Sequence, residues 1–333
     1  MTGHVRYRLR AWPAFVGGLA ILMAGFSAAA QVSYPKRTIT MIIPTTAGGP
    51  TDGVGRILAS ALGEALQQNV IVENAAGAGG TLGMGRLARA QPDGYTIGFW
   101  HIAHATAPAM FENLPYNVIE SFDHIGRIVD VPMTIVVRFN LPVNTTGELL
   151  EWMRSQKDKA TYGHGGPGSV SHLCMLMLMR HAGVTMTGVA YRGTGPAMTD
   201  LVGQCFDLLC DGTPATAGLI ANGQIKGIAT TISARASSLP DLPTLAEMGL
   251  TGFDVNGWHG LWAPKGLPAD VRQKLNQALQ KALRDPGLIE RFNKLHSDPV
   301  KLELATAEAL RAHLQSEVDK WTPLIRDAGV KGN

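Results

Sequence analysis

The chain has 333 residues, of which 45% are hydrophobic and 17% charged, and this composition excludes a disordered chain. Its formal net charge is +3, but the first 30 residues hold three arginines and no acidic residue, so the remainder has 26 basic and 26 acidic residues. A near-neutral chain has no overall field to attract nucleic acid or an anionic membrane, and neither is an expected partner.

The first 30 residues resemble a secretory signal peptide. Arg6, Arg8 and Arg10 form a positive segment, an apolar stretch follows, and Ala28–Ala30 supplies the small residues of a cleavage site. The apolar stretch is short for a bilayer span and contains proline and glycine. We therefore expect export to the periplasm with cleavage near Ala30. The roughly 300 residues that remain are enough for two domains.

Three cysteines give no disulfide framework. Cys205 and Cys210 lie in one predicted strand, too far apart along an extended chain to form a bridge. A pair between Cys174 and either of them stays open, and we expect buried free thiols.

Short strand patterns alternate with helical ones along the chain, which predicts an α/β fold with mostly parallel sheets flanked by helices. In the first half, strands are predicted at 38–44, 70–73 and 96–100, and helices after the first two of them. A second series follows a strand at 133–139, with helices at 146–155 and up to Arg180, and strands ending at Tyr162, near 187–191 and near 206–210. Helical periodicity resumes beyond Pro264. Two such units without a flexible linker suggest domains joined by crossing strands, a hinge geometry.

The loop Pro44–Asp52 is the most informative stretch, because it leaves a strand and enters a helix. Gly48 and Gly49 allow the backbone to approach a ligand, Pro50 suits a first helical turn, and the threonines add hydroxyl groups. Backbone N–H groups and the helix dipole then converge on one point. This pattern predicts a site for an anionic oxygen.

Three further glycine-rich loops follow predicted strands: 74–81, 162–172 and 191–197. In open α/β sheets ligands bind beyond the carboxyl ends of the strands. We therefore expect the four loops, two from each half, to face one cleft.

Other chemistries fit the residues less well. Gly163–Gly168 satisfies the G-x-G-x-x-G pattern, but Pro167 removes a donor and Arg192, not an acid, ends the next strand. His101 and His104 lack clustered acidic or cysteine partners, so no metal is predicted. Ser169 and Ser171 beside His172 suggest an exported serine hydrolase, the weakest alternative, since no nucleophile-elbow motif is present. No cofactor is predicted, and we do not expect an enzyme.

Many ordered motifs resemble the Bug (TctC-type) solute receptors of tripartite tricarboxylate transporters. They include the Pro44–Asp52 loop with Arg56, Val72–Thr81, Pro92–Thr96, Tyr191–Ala197 and, toward the end, Trp258–Pro264. The resemblance covers essentially the whole chain after residue 30. It implies a type II Venus-flytrap fold, with domain I at 31–135 plus 258–333, an inserted domain II at 136–257, and a ligand cleft between them.

The resemblance also implies the site. In the family, amides of the first loop hold one ligand carboxylate, and the second domain holds the distal end. The expected ligand-binding residues of this chain are Thr45, Thr46, Ala47, Gly48, Gly49, Asp52, His101, Gly163, His164, Ser169, His172, Arg192, Thr194, Gly195 and Asp211.

Two departures from the family pattern leave the ligand open. Thr45 stands where the family usually has an aromatic residue, and His164 is larger than the usual serine. Asp211 suits an ammonium, a hydroxyl or a water better than an anionic group. The predicted function is capture of a small di-, tri- or aromatic carboxylate by a monomer that delivers it to a transporter. A receptor that presents its ligand to a sensor protein is the alternative.

Overall fold

The computed structural model describes residues 1–4, 34–191, 193–232, 235–236, 239–295 and 297–332. The predicted signal peptide lies almost wholly outside the described residues, and so does Arg192. Pro35–Asn333 form one compact unit, which contains both sheets of the fold.

The strands at 122–130, 225–230, 259–264 and 298–299 were not predicted, and the other seven lie close to where the alternating pattern predicts them. The described residues contain eleven strands. In chain order they are β1 (Ile39–Ile43), β2 (Val70–Asn74), β3 (Thr96–His101), β4 (Phe122–Asp130), β5 (Met133–Arg138), β6 (Thr161–His164), β7 (Thr187–Ala190), β8 (Leu208–Gly212), β9 (Ile225–Thr230), β10 (His259–Pro264) and β11 (Asp298–Pro299).

Helices follow most of these strands. They are α1 (Pro50–Leu66), α2 (Thr81–Ala88), α3 (Ala103–Met110), α4 (Thr146–Gln156), α5 (Val170–Ala182), α6 (Thr194–Val202), α7 (Thr213–Ala221), α8 (Ala269–Leu283), α9 (Pro286–Lys294) and α10 (Ala307–Asp327).

The strands form two mixed sheets. The six-stranded sheet has the order β11-β4-β10-β3-β1-β2, and the five-stranded sheet has the order β7-β6-β8-β5-β9. In the first, β1 is parallel to β2 and β3, whereas β10 and β11 run against their neighbours. In the second, β6 is parallel to β7 and β8, and β5 is antiparallel to β8 and β9. Most strands of each sheet thus point the same way, and helices pack on both sheets, which confirms the predicted α/β class.

Helix α1 shows how the sequence pattern becomes packing. Val54, Leu58, Leu62 and Leu66 recur at a spacing of four and are buried. Burial of one such side chain stabilises the fold by roughly 1.5–3 kcal/mol. The first strand, Ile39–Ile43, is buried along most of its length, as expected for a strand covered on both faces. Packing of α1 on the sheet therefore holds the preceding loop at the carboxyl end of β1.

The chain passes between the sheets at two neighbouring points. Only Val131 and Pro132 separate β4 from β5, and Pro132 forms an isolated bridge with Asn256 just before β10. The N–H of Gly257 donates to the Val131 carbonyl at 2.9 Å. We propose that these segments are the domain boundaries. The first boundary then lies a few residues before the position expected from the sequence, because β5 belongs to the second sheet.

The expectation of buried free thiols is wrong, because two of the three cysteines are not free and the third is not buried. Cys174 of α5 and Cys210 of β8 form a disulfide, with their Cα atoms 6.2 Å apart. Cys205 is free and exposed. The sequence did not show that α5 crosses β8 at these residues, which is what brings the two sulfurs together.

Among the residues that the structure describes, no helix combines the length and the hydropathy needed to cross a lipid bilayer.

Candidate functional site

A cavity of about 590 Å³ is lined by loops from both sheets. From the six-stranded sheet come the start of α1, His101 and His259; from the five-stranded sheet come the residues before α5, α6 and α7. The lining includes Gly48, Gly49, Thr51, His101, Gly165, Ser169, Ser171, Gly193, Thr194, Asp211, Gly212 and His259. Three of the four strand-to-helix loops expected to share a cleft line this cavity. The fourth, at 74–81, lines a second, adjoining cavity instead.

The loop before α1 owes its shape to Asp52, which is almost completely buried. One carboxylate oxygen accepts from the Gly48 N–H and from Arg56 Nε, each at 2.9 Å, and the other accepts from Asn74 Nδ2 at 2.8 Å. The hydrogen bond from Arg56, followed by those from Gly48 and Asn74, lowers the pKa of Asp52 to about 2 against the cost of burial. Gly48 has a φ of +86°, the left-handed region that favours glycine. Asp52 therefore positions the loop and does not line the cavity.

Several amides of this loop have no partner among the described residues. The N–H groups of Thr46, Ala47 and Gly49 donate to no described atom, and Gly49 caps α1 with no side-chain hydrogen bond. Pro50 at the first helical position has no N–H to satisfy. Unpaired donors at the positive end of a 17-residue helix are the arrangement that binds an anionic oxygen.

The loop before α5 behaves in the opposite way, because its amides are used internally. Gly165 N–H donates to Ser171 Oγ at 2.9 Å, Gly166 N–H to His164 Nδ1 at 3.2 Å, and Gly168 N–H to His172 Nδ1 at 3.1 Å. The rings of His164 and His172 stack with centroids 4.2 Å apart. Both histidines are buried, and burial lowers the pKa of each, that of His172 to about 4. Their neutral nitrogens thus shape the loop as acceptors.

The starts of α6 and α7 complete the second wall. Gly193 precedes α6 with a φ of +108°, and no described atom accepts from the N–H groups of Gly193, Thr194 or Gly195. Gly212 precedes α7. Each helix N-terminus carries a partial charge of roughly +0.5. Since no lysine or arginine is found among the described residues that line the cavity, these N-termini supply its positive potential.

Asp211, at the end of β8, is the ionisable acid of the cavity lining. One carboxylate oxygen accepts from the Gly212 N–H at 2.8 Å, whereas Oδ2 has no partner among the described residues. Burial raises the pKa of Asp211 to about 6, although the hydrogen bond from Gly212 and the proximity of the Thr194 side chain, which makes no hydrogen bond to Oδ2, act in the other direction.

His259 is a lining residue that the sequence analysis did not select. Its Nε2 lies 3.3 Å from Thr51 Oγ1, and its ring stacks on Phe99 with centroids 5.0 Å apart. Burial lowers the pKa values of His259 and His101, that of His101 to about 4, so both rings are neutral. His259 occurs in the Trp258–Pro264 motif, but its place depends on the antiparallel pairing of β10 with β3, in which it faces His101.

A second cavity of about 310 Å³ adjoins the first and shares His101, Gly165 and Ser169 with it. Thr45 and Thr46 line it together with glycines of the loop before α2 and the aromatic Trp100 and Phe111. Trp100 packs on the His101 ring with centroids 3.9 Å apart.

The predicted site residues thus divide into three groups. Those that line one or both cavities are Thr45, Thr46, Gly48, Gly49, His101, Ser169, Thr194 and Asp211. Those that lie behind or beside the lining are Ala47, Asp52, Gly163, His164, His172 and Gly195. Gly163 is explained by packing, because a Cβ there would lie 2.4 Å from the Phe206 ring. The position of Arg192 lies outside the described residues.

Comparisons with known proteins identify the family. The profile of the tripartite tricarboxylate transporter family receptor matches residues 54–330. The chain belongs to this family. A UPF0065 protein encoded in the TAR-I ttuE-ttuC' intergenic region of Agrobacterium vitis is 44% identical over 302 residues, which are 91% of this chain and 87% of that protein.

Solved structures show the same fold. The periplasmic binding protein BugD has 44% identity and a TM-score of 0.77, and the match covers 90% of this chain and all of that one. MatC from Rhodopseudomonas palustris, solved with bound malate, has 34% identity and a TM-score of 0.76, covering 88% of this chain and all of that one. The fold of this receptor is therefore the two-domain α/β fold of periplasmic binding proteins.

Proposed function

We propose that this chain is a periplasmic receptor that captures a small carboxylate and delivers it to a tripartite tricarboxylate-type transporter. The observation that carries the proposal is the cavity itself. The start of α1, with the unpaired amide of Gly49, lines it from one sheet, and the starts of α6 and α7 line it from the other. A carboxylate held by helix N-termini needs no basic side chain.

The hydrogen bonds available to a carboxylate are sufficient for binding in the micromolar range. Each hydrogen bond to a charged group contributes roughly 1.5–3 kcal/mol, and three or four of them approach the roughly 8 kcal/mol of a micromolar complex. The free N–H groups of the lining residues Thr46 and Gly49 are candidates on one side, with those of Gly193 and Thr194 on the other. The capture of malate by MatC, a relative with the same fold, supports a carboxylate as the ligand class.

The surroundings of the two cavity serines support binding and not catalysis. Ser169 Oγ donates to the Gly166 carbonyl and lies 2.9 Å from Ser171 Oγ, which accepts from the Gly165 N–H. His172 Nδ1 instead accepts from the Gly168 N–H. A serine nucleophile needs a base within hydrogen-bonding reach, and neither serine has one among the described residues. We therefore propose that the protein is not a hydrolase, and we expect no labelling by a fluorophosphonate probe.

The proposal is tested with the full-length chain expressed for export and recovered from the periplasmic fraction. Mass spectrometry should give an N-terminus near residue 31, and size-exclusion chromatography should give a monomer. A thermal-shift screen of mono-, di- and tricarboxylates should raise the melting temperature for at least one of them, while the corresponding neutral amides should not. A protein that stays with the membrane or in the cytoplasm, or that responds to no carboxylate, would refute the proposal.

A further inference from the structure

Asp211 places an unsatisfied acceptor in the wall of the cavity. Its side chain is part of the lining, the residue is only 7% exposed, and Oδ2 has no partner among the described residues. The other oxygen is occupied by the Gly212 N–H. A buried polar atom without a partner costs roughly as much as a lost hydrogen bond, so such an atom in a residue that lines a cavity indicates a group that arrives with the ligand.

The other lining residues limit the chemistry of that ligand group. Among the described residues that line either cavity, Asp211 is the sole aspartate or glutamate. The polar groups elsewhere in the lining include helix amides, hydroxyl groups and the imidazoles of His101 and His259. Burial raises the pKa of Asp211 to about 6, so near pH 7.5 the side chain is mostly a carboxylate that can only accept. A second ligand carboxylate placed against it would meet a like charge.

We propose that the ligand carries a hydroxyl or ammonium donor that binds Asp211 Oδ2, so that the receptor selects hydroxy- or amino-substituted carboxylates over unsubstituted ones. This inference rests on the proposed carboxylate-binding function. In the proposed complex, the amides at the start of α1 hold a ligand carboxylate, and Asp211 accepts a hydrogen bond from the substituent. Asp211 is then the residue that determines specificity.

Matched ligand sets test the inference by isothermal titration calorimetry at pH 7.5. The sets are propionate, lactate and alanine; succinate, malate and aspartate; and glutarate, 2-hydroxyglutarate and glutamate. Within the set of the best length, the hydroxy or amino member should bind at least tenfold more tightly than the unsubstituted one, since a hydrogen bond to a charged group is worth that much. The hydroxy and amino members compared with each other show which donor is preferred.

The substitution Asp211→Asn should bring this preference below about threefold and leave or improve binding of the unsubstituted acid. Asp241→Asn, at an exposed aspartate outside both cavities, is the matched control and should keep the full preference. Unsubstituted acids that bind the wild-type protein as tightly as their partners, or a preference that survives Asp211→Asn, would overturn the inference while carboxylate binding stands. A best ligand from the carboxylate screen that bears no hydroxyl or amino group would likewise overturn the inference, whereas no response to any carboxylate in that screen would overturn the proposed function and this inference with it.

Discussion

Asp52 shapes the loop before α1 without reaching the cavity that the loop lines. It ties together Gly48, Arg56 and Asn74, and it is buried while Arg56 is half exposed. The aspartate of the Pro44–Asp52 motif is thus a positioning residue, and the free amides beside it are the candidate ligand contacts.

Replacing this aspartate should loosen the loop. We expect Asp52→Asn to lower the free energy of unfolding by about 1–2 kcal/mol at pH 7, because a charged hydrogen-bonding partner of Arg56 and Gly48 is lost. The pKa of Asp52 is about 2 in the folded protein, below its usual value of 3.8. Its contribution is therefore fully present above pH 4 and is lost as the pH falls from there towards 2.

Urea unfolding at pH 7.5, 5.0 and 3.5 checks this expectation. The difference between wild type and Asp52→Asn should be equal at the two higher pH values and smaller at pH 3.5. Glu112→Gln, which removes the exposed pair between Glu112 and Lys331, is the control and should change stability by less than about 0.5 kcal/mol. A variant as stable as wild type at pH 7.5 would contradict the role given to Asp52.

Asp211 should show the opposite behaviour in the protein without ligand. Its pKa is raised from 3.8 to about 6 by burial, so ionisation is less favourable in the folded protein than in the unfolded chain. The resulting destabilisation is absent below pH 4, grows between pH 4 and 6, and is complete above pH 6.

We therefore expect Asp211→Asn to raise the free energy of unfolding by roughly 1–3 kcal/mol at pH 8, with a gain that shrinks towards pH 4. Urea unfolding of both proteins across this range measures the gain. An equal effect at pH 8 and pH 4 would show that Asp211 is not a buried carboxylate held for a ligand.

At the scale of elements, the N-terminal part of helix α5 is fixed by a cap and by a disulfide to the second sheet. Its first turn is capped by Ser169, which accepts from the His172 N–H, and Cys174 one turn later forms the disulfide with Cys210 of β8. Strand β8, which carries Cys210, also carries Asp211 at the next position. The disulfide thus stabilises the wall that contains the proposed specificity residue.

The disulfide closes a loop with a sequence separation of 36 residues. In the chain-entropy account, such a crosslink stabilises the folded state by about 4 kcal/mol. The double substitution Cys174→Ala and Cys210→Ala should therefore lower the free energy of unfolding by about that amount in urea titrations. A reducing agent should destabilise the wild-type protein and leave the double variant unchanged. Cys205→Ser, at the exposed free cysteine, should match wild type, and a reductant effect on the double variant would contradict the assignment.

The sequence predicted the elements better than their directions. Alternation of strand and helix patterns located β1, β2 and β3 and the helices α1 and α2, because a buried parallel sheet imposes that order. The antiparallel orientation of β5 and β10 in their sheets was not predicted, since the sequence of a short apolar strand does not indicate its direction. For that reason His259, which depends on β10 lying beside β3, was missed.

The ligand-site residues were also predicted only in part: their loops were recognised, but their hydrogen-bond partners were not. Glycine-rich loops after strands were recognised, and several of their residues line the cavities. Which amides stay free was not predictable, because it depends on side chains such as Asp52, His164 and His172, each of which accepts from a nearby backbone N–H. The same residue types at the same spacing would line a ligand site if their rings or carboxylates turned outward.

At the scale of the whole molecule, buried neutral histidines are the dominant titrating feature. Among the described residues, seven histidines have pKa values lowered by burial: His101, His104, His124, His164, His172, His259 and His313. The unfolded chain protonates them near pH 6.5, whereas the folded protein does so only at lower pH. Their contribution to stability is therefore complete above pH 6.5 and is lost as the pH falls towards 4.

We expect the free energy of unfolding to fall by several kcal/mol between pH 7.5 and pH 5, because each such histidine contributes up to about 1.4 kcal/mol per pH unit. Asp211 acts in the opposite direction but is a single group. Urea unfolding at pH 7.5, 6.5, 5.5 and 5.0 gives the slope directly. A stability that is flat or rises on acidification would contradict the neutral state assigned to these rings.

The central claim is that amides at the start of α1 hold a ligand carboxylate, and Gly48 offers a direct test of it. Its φ of +86° is strained for any residue with a side chain, while a Cβ there would meet no atom within 4 Å, so Gly48→Ala distorts the loop backbone without a steric clash. Gly147, which also has open space but no positive φ, provides the control Gly147→Ala. Isothermal titration calorimetry of the three proteins with the best carboxylate from the screen should give saturable one-site binding for wild type and Gly147→Ala. Affinity should be at least tenfold weaker for Gly48→Ala. Equal affinity in all three proteins would show that the carboxylate is held elsewhere.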